Sequence, residues 1–108
     1  MVQMLIAGER EAARSGDEIE VINPATEEPL ESVPSAGRED VDRAVQAAAD
    51  ALPEWRETDA EERAEKLRAF AALVKGNARE LSETLTREQG KPTMEAAGEV
   101  QHHARQAS

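Results

Sequence analysis

The chain has 108 residues, carries 23 acidic against 13 basic side chains for a formal charge of −10, and contains no cysteine. That charge argues against a nucleic-acid phosphate backbone or an anionic membrane surface as partner. The missing thiol excludes disulfides, thiolate metal sites and a cysteine nucleophile within these residues. One small domain with a modest core fits this length. Its only aromatics are Trp55 and Phe70, so the core must be built of Ala, Val, Leu and Ile. No apolar run approaches the roughly 20 residues that span a bilayer. The opening Met1–Ile6 run has no basic segment before it and does not read as a secretory signal. The expected location is the cytoplasm. Only three of the basic residues are lysine (Lys66, Lys75, Lys91). Such an acidic, arginine-rich surface fits either a high-salt, halophile-like cytoplasm, where salt screens self-repulsion, or an ordinary acidic bacterial protein.

Residues 1–34 read as a strand and hairpin segment. Met4-Leu5-Ile6, then Ala7-Gly8, then Glu9-Arg10-Glu11 predicts a tight hairpin with glycine at a positive-φ position. Ser15-Gly16-Asp17 marks a second turn, and Ile19-Glu20-Val21-Ile22 alternates as a strand does. Asn23-Pro24 breaks it. Pro29 to Pro34 forms a last short strand whose bounding prolines suit an edge.

Residues 35–108 read as a helical segment. Val41, Ala44, Val45, Ala48 and Leu52 share one face, expected to be the buried one, with Glu39 and Asp40 in the first turn. Pro53 is expected to end that helix. Thr58-Asp59-Ala60-Glu61 looks like a capping box for the second, with Ala64, Leu67, Phe70, Ala71 and Val74 inward and Gly76 as its stop. Asn77 is expected to cap the third helix, Leu81 and Leu85 to carry its apolar face, and Gly90 to close it in the left-handed conformation. Pro92 opens a fourth helix at a first-turn position. Asp59/Arg63, Glu62/Lys66 and Glu83/Arg87 are spaced as i,i+4 ion pairs on a solvated face. Gln101 to Ser108 carries no stop signal, so the expectation is a chain cut inside a helical pattern.

No motif in this pass carries chemistry. Gly90-Lys91-Pro92 lacks the earlier glycine and the following hydroxyl of a phosphate loop, since Leu85 and Pro92 stand there. His102 and His103 are adjacent and diverge by about 100° on a helix, which suits no shared metal. Glu95 and Glu99, four apart, read as solvated rather than as a hard-cation pair. From the residues alone the chain is an acidic α+β domain without a catalytic site.

The order of its segments nevertheless resembles one family. Leu5-Ile6-Ala7-Gly8-Glu9, then I-E-V-I-N-P-A-T from Ile19 to Thr26, is similar to the opening of aldehyde dehydrogenases. Val33-Pro34-Ser35-Ala36 leading into Glu39 to Val45 follows. Trp55, Glu61 to Ala64 and Glu88-Gln89-Gly90-Lys91-Pro92 then appear in family order. The resemblance covers residues 4–100 and implies the α/β aldehyde dehydrogenase fold. This chain would supply an N-terminal β-hairpin and short strands followed by about four helices. Both segments would belong to the front of the NAD(P)-binding domain.

In that family a thiolate attacks the aldehyde carbon, a hydride passes to NAD or NADP, and a glutamate-activated water releases the acid. The thiol, the general-base glutamate and the oxyanion asparagine lie downstream of this segment. No catalytic or cofactor-binding residue is therefore carried onto these 108, and Asn23 belongs to a turn. The resemblance implies an aldehyde substrate and a homo-oligomer for full-length relatives, with the chain alone inactive and holding no cofactor. It also implies part of a monovalent-cation site, with carbonyls of Val21 and Ile22 and the carboxylate of Glu88 as ligands. Glu99 and His103 would fall near the substrate tunnel without a catalytic role. The alternative is a stand-alone acidic helical interaction module without enzymatic activity.

Overall fold

The computed structural model describes residues 2–107. Met1 and Ser108, which end the opening apolar run and the last helical stretch, lie outside the described residues. Four strands precede four helices: β1 Met4–Ile6, β2 Glu9–Glu11, β3 Glu18–Ile22, β4 Pro29–Pro34, α1 Arg38–Glu57, α2 Ala60–Gly76, α3 Ala78–Gln89 and α4 Thr93–Gln106. They fall into two compact units. Among the described residues one holds 2–22 and 29–57, the other 23–28 and 58–107.

In the first unit β1 pairs antiparallel with β2, Leu5 opposite Arg10. The turn between them is Ala7-Gly8, with φ of 52° and 83°. Two successive positive-φ residues give the tight hairpin turn whose twist matches the strands. At Ser15-Gly16 the Gly16 N–H donates to the Ala13 carbonyl, and the Ser15 hydroxyl accepts from Asp17 N–H. β3 and β4 form a second antiparallel pair, Ile19 opposite Val33, with a register irregularity at Val21/Ile22. A two-stranded sheet has only edges, so the prolines at both ends of β4 displace no neighbour.

α1 begins with an arrangement that residue periodicity did not announce. Asp40, 1% exposed, sits in the first turn and its Oδ2 accepts the N–H of Gly37 at 3.0 Å. This is the reciprocal half of a capping box, an acid at the third helical position reaching back to the cap residue. Both carboxylate oxygens also lie 3.3 Å from the Arg14 N–H, and Arg43 Nη1 stands 3.6 Å away. Arg43 is in turn held by Glu11 of β2 at 2.5 and 2.6 Å. Contacts to Glu11 first, then to Asp40 and Glu39, push the Arg43 pKa up.

Pro53 does not end α1, which runs four residues further to Glu57. Proline removes only its own N–H bond to the carbonyl four residues back. The turn after it keeps its remaining bonds. The larger correction concerns the face. Val41, Val45 and Leu52, expected inside, are 51%, 64% and 55% exposed. The side of α1 turned to the hairpin is Asp40, Arg43 and Ala47, about half a turn round the helix. A half-buried Arg43–Glu11 ion pair beside the buried Asp40 ties α1 to its hairpin, and Ile6 and Ala13 are the buried apolar side chains of this unit.

In the second unit the Asn23-Pro24 turn is closed locally. Asn23 Oδ1 accepts Ala25 N–H at 2.9 Å and its carbonyl accepts from Glu27 N–H at 2.8 Å. α4 packs on α3 and α2, and the interior is made of Ala71, Ser82, Ala96, Val100 and Ala104. The large side chains are outside: Leu67, Phe70, Leu73 and Leu81 are 42–65% exposed. Of the inward set expected for α2, Ala71 is buried while Ala64 and Val74 are half-buried. Small side chains let helices approach closely. An alanine methyl, however, contributes only about 0.8 kcal/mol of burial where a leucine contributes about 1.5–3.

Both expected caps are built differently. Asp59 precedes α2 with an extended φ of −58° and ψ of 145° and makes no side-chain cap bond. Thr58 uses its carbonyl, which accepts from Arg63 Nη1 at 2.7 Å. Asn77 likewise makes no side-chain bond into α3. Its Nδ2 donates backward to the Leu73 carbonyl at 2.8 Å, satisfying an end of α2. Gly90 takes the left-handed conformation, φ 71° and ψ 11°, as glycine at a helix end does. Pro92 is the residue before α4, its carbonyl accepting from Glu95 and Ala96 N–H at 3.0 Å.

Candidate functional site

The cation ligands expected from the family resemblance belong to two different units and are placed one at a time. Val21 and Ile22 close β3, Val21 half-buried and Ile22 exposed. Glu88 lies in the last turn of α3, two residues before Gly90, and its side chain is exposed. Gly90 fits closely against Pro24: a Cβ built on it would stand 2.9 Å from Pro24 Cγ. The N-P-A-T turn and the G-K-P loop, read separately in the sequence, therefore touch. No group of three or more His, Asp or Glu side chains gathers among the described residues.

The strongest electrostatic arrangement in the second unit is one that spacing alone missed. Lys91 Nζ is hydrogen-bonded to Glu99 Oε2, tying the loop after α3 to the second turn of α4. Glu99 Oε1 also lies 3.9 Å from His103 Nε2. The Lys91 hydrogen bond, followed by its charge and a smaller effect of His103, holds the Glu99 carboxyl below its ordinary pKa. Glu99 is thus a paired structural carboxylate, not half of a hard-cation pair with Glu95. The signal for it was present as a lysine beside a glycine turn, eight residues before an acid. Sequence distance of eight means nothing until the turn fixes where the lysine points.

His102 and His103 diverge as expected, ring centroids 6.3 Å apart and planes at 62°. Met94 is 86% exposed while Ala96 is fully buried. Lys66 pairs with Glu62 at 2.9 Å, whereas Glu83 pairs backward with Arg79 at 2.8 Å instead of the expected Arg87. Contact with Glu83 pushes the Arg79 pKa up.

Two concavities stand out. A cleft of about 930 Å³ in the first unit runs between the hairpin and α1, lined by Ile6, Gly8, Glu11, Arg43, Ala47 and Asp50. A shallower one of about 390 Å³ lies over Phe70, Leu73, Val74 and Leu81 in the second. Neither brings together a nucleophile, a base and a group to orient it. The side chains present can hold a fold and bind by shape and charge.

Known proteins supply the remaining observation. The model of the aldehyde dehydrogenase family matches residues 11–108. Glutarate-semialdehyde dehydrogenase of Pseudomonas putida is 44% identical over 102 residues, 94% of this chain and 21% of that protein. The NADP-linked succinate-semialdehyde dehydrogenase of Escherichia coli is 43% identical, again over 94% of this chain and 21% of its own length. The crystal structure of succinate-semialdehyde dehydrogenase from Burkholderia pseudomallei superposes with a TM-score of 0.92 at 44% identity, covering 96% of this chain and 22% of that one. The chain spans about a fifth of the length of the curated relatives it matches. Nothing in these matches supports a stand-alone interaction module. No helix among the described residues is long and apolar enough to cross a membrane.

Proposed function

The chain belongs to the aldehyde dehydrogenase family, and from that premise we propose that it is the N-terminal scaffold of an NAD(P)-dependent oxidation of an aldehyde to an acid, without turnover of its own. One observation carries the reading: nearly all of the chain matches the first part of family enzymes, yet it contains no cysteine to attack the aldehyde. Its residues supply backbone and packing surface. The hairpin, the Asp40–Arg43–Glu11 network and the Pro24–Gly90 contact set where those surfaces stand within each unit.

The test is direct. The purified 108-residue chain, given an aldehyde with either NAD or NADP, is expected to form no reduced nicotinamide. Sustained turnover overturns the proposal.

The same reading extends to a full-length protein that is cytoplasmic and homo-oligomeric, which cell fractionation and light scattering check. It extends also to Val21, Ile22 and Glu88 as contributors to a monovalent-cation site. The support there is chemical, since carbonyl and carboxylate oxygens are the donors a hard cation takes. In a full-length protein carrying this segment, exchanging potassium for a bulky organic cation is expected to weaken activity, and Glu88→Gln is expected to blunt that dependence. An unchanged dependence removes Glu88 from the set.

A further inference from the structure

We infer that the β3–β4 hairpin is a salt-gated element of the fold. Its two strands stay paired only when solution cations screen the carboxylates they carry. The screening is general, and no bound ion is required. The acidic, lysine-poor surface is then that of a protein working in concentrated salt.

Three observations carry it. First, residues 15–37 hold six carboxylates, at Asp17, Glu18, Glu20, Glu27, Glu28 and Glu31, and no lysine or arginine. All six are exposed. Glu18 and Glu20, two apart on β3, point to the same face of the pair. The nearest bases along the chain are engaged with acids of α1, Arg14 with Glu39 at 3.3 Å and Arg38 with Asp42 at 3.9 Å. Second, little opposes the repulsion. A two-stranded hairpin is marginal in water without packing on one face. No residue of β3 or β4 is fully buried, and Ile19 and Ile22 are 55% and 41% exposed. The turn between the strands adds strain, since Glu27 stands at φ of 59°, in the left-handed region that a side chain resists. α4, by contrast, seats Ala96, Val100 and Ala104 in the interior of its unit. Third, the charges lie at separations that salt governs. Residues two apart on a strand are about 7 Å apart. That is inside the Debye length of about 10 Å at 0.1 M and beyond that of about 3 Å at 1 M. Raising salt across this range removes most of the repulsion.

The experiment is amide hydrogen exchange on the full 108-residue chain, read residue by residue by nuclear magnetic resonance in potassium chloride at about 0.1 and 1 M. Between 1 M and 0.1 M the protection of the β3 and β4 amides is expected to fall about fivefold or more, and that of α4 by less than about twofold. Sodium and choline chlorides are expected to give the same change as potassium chloride. The triple variant Asp17→Asn, Glu18→Gln, Glu20→Gln should keep at low salt the protection that the parent shows at high salt. A second triple variant on the helices, Glu57→Gln, Glu65→Gln, Glu95→Gln, should leave the salt response of the hairpin intact. Both sets alter exposed side chains only, so the circular dichroism of the parent is retained. A change below about twofold at the hairpin, or no protection there at either concentration, would overturn the gate. So would an equal loss in α4, a response to potassium alone, an undiminished response in the hairpin variant, or the same flattening in the helix variant.

Discussion

Replacing Gly90 by alanine is expected to be among the costliest small changes in the second unit. Two separable effects act. Gly90 has φ of 71°, and a residue with a Cβ loses roughly 1–2 kcal/mol there. The new Cβ would also lie 2.9 Å from Pro24 Cγ, closer than carbon atoms approach without displacement. Forcing such overpacking costs about 1–3 kcal/mol. The stiffer unfolded chain returns about 0.4–1 kcal/mol. The net loss is about 1–5 kcal/mol, against a total of about 5–16 kcal/mol for a chain of this length.

Urea unfolding followed by far-ultraviolet circular dichroism reads this directly. A slope of about 1–3 kcal/mol per molar turns a 2 kcal/mol loss into a midpoint shift of roughly 1 M. Two further variants separate the effects. Gly90→Asn relieves the dihedral penalty, because asparagine tolerates the left-handed region, but keeps the clash. Pro24→Ala combined with Gly90→Ala removes Cγ and leaves only the ordinary 3.6 Å contact to Cβ. The double variant should therefore recover the steric part. A Gly90→Ala midpoint within about 0.5 kcal/mol of the parent, or no recovery in the double variant, would refute the close approach of the two loops.

Asp40→Ala should destabilise by about 0.5–2 kcal/mol, since it removes the cap on the Gly37 N–H and takes a buried carboxylate from Arg43; thermal unfolding of the variant checks it. Val45→Lys in the isolated chain should change stability by no more than about 0.5 kcal/mol, whereas Ala96→Leu, at a fully buried site, should cost about 1–3 kcal/mol. The two melts together invert what helical periodicity alone would rank. Glu99, whose pKa is lowered in the fold by Lys91, stabilises the fold above the ordinary glutamate range and loses that contribution as pH falls toward its folded value. Glu99→Gln should flatten the acid limb of a stability–pH profile and leave neutral salt effects at other sites unchanged.

Several elements were legible in the sequence because their cause is local. Ala7-Gly8 between two short apolar-to-polar runs dictates a hairpin, whichever partner lies beyond. Gly90 ahead of Lys91-Pro92 dictates a left-handed helix end, because an L side chain resists that dihedral. Family membership was legible for a related reason: an ordered series of short motifs survives without knowledge of any contact. Pro53 was misread because its cost is real but local, one lost bond in a twenty-residue helix.

Tertiary structure decided the rest. Periodicity marks that α1 has an apolar side, but which side is buried depends on what stands across from it. Here Glu11 and Arg14 recruit Arg43 and Asp40 instead. The direction of the Asn77 amide, the pairing of Glu83 with Arg79 and the tie from Lys91 to Glu99 were equally closed to inspection of spacing. Each side chain had more than one partner within reach, and only the three-dimensional path of the turns selected one. Composition and order thus determined the strands, the helices and the kinship of this chain. The packing partners of its faces were set by long-range geometry that no local preference encodes.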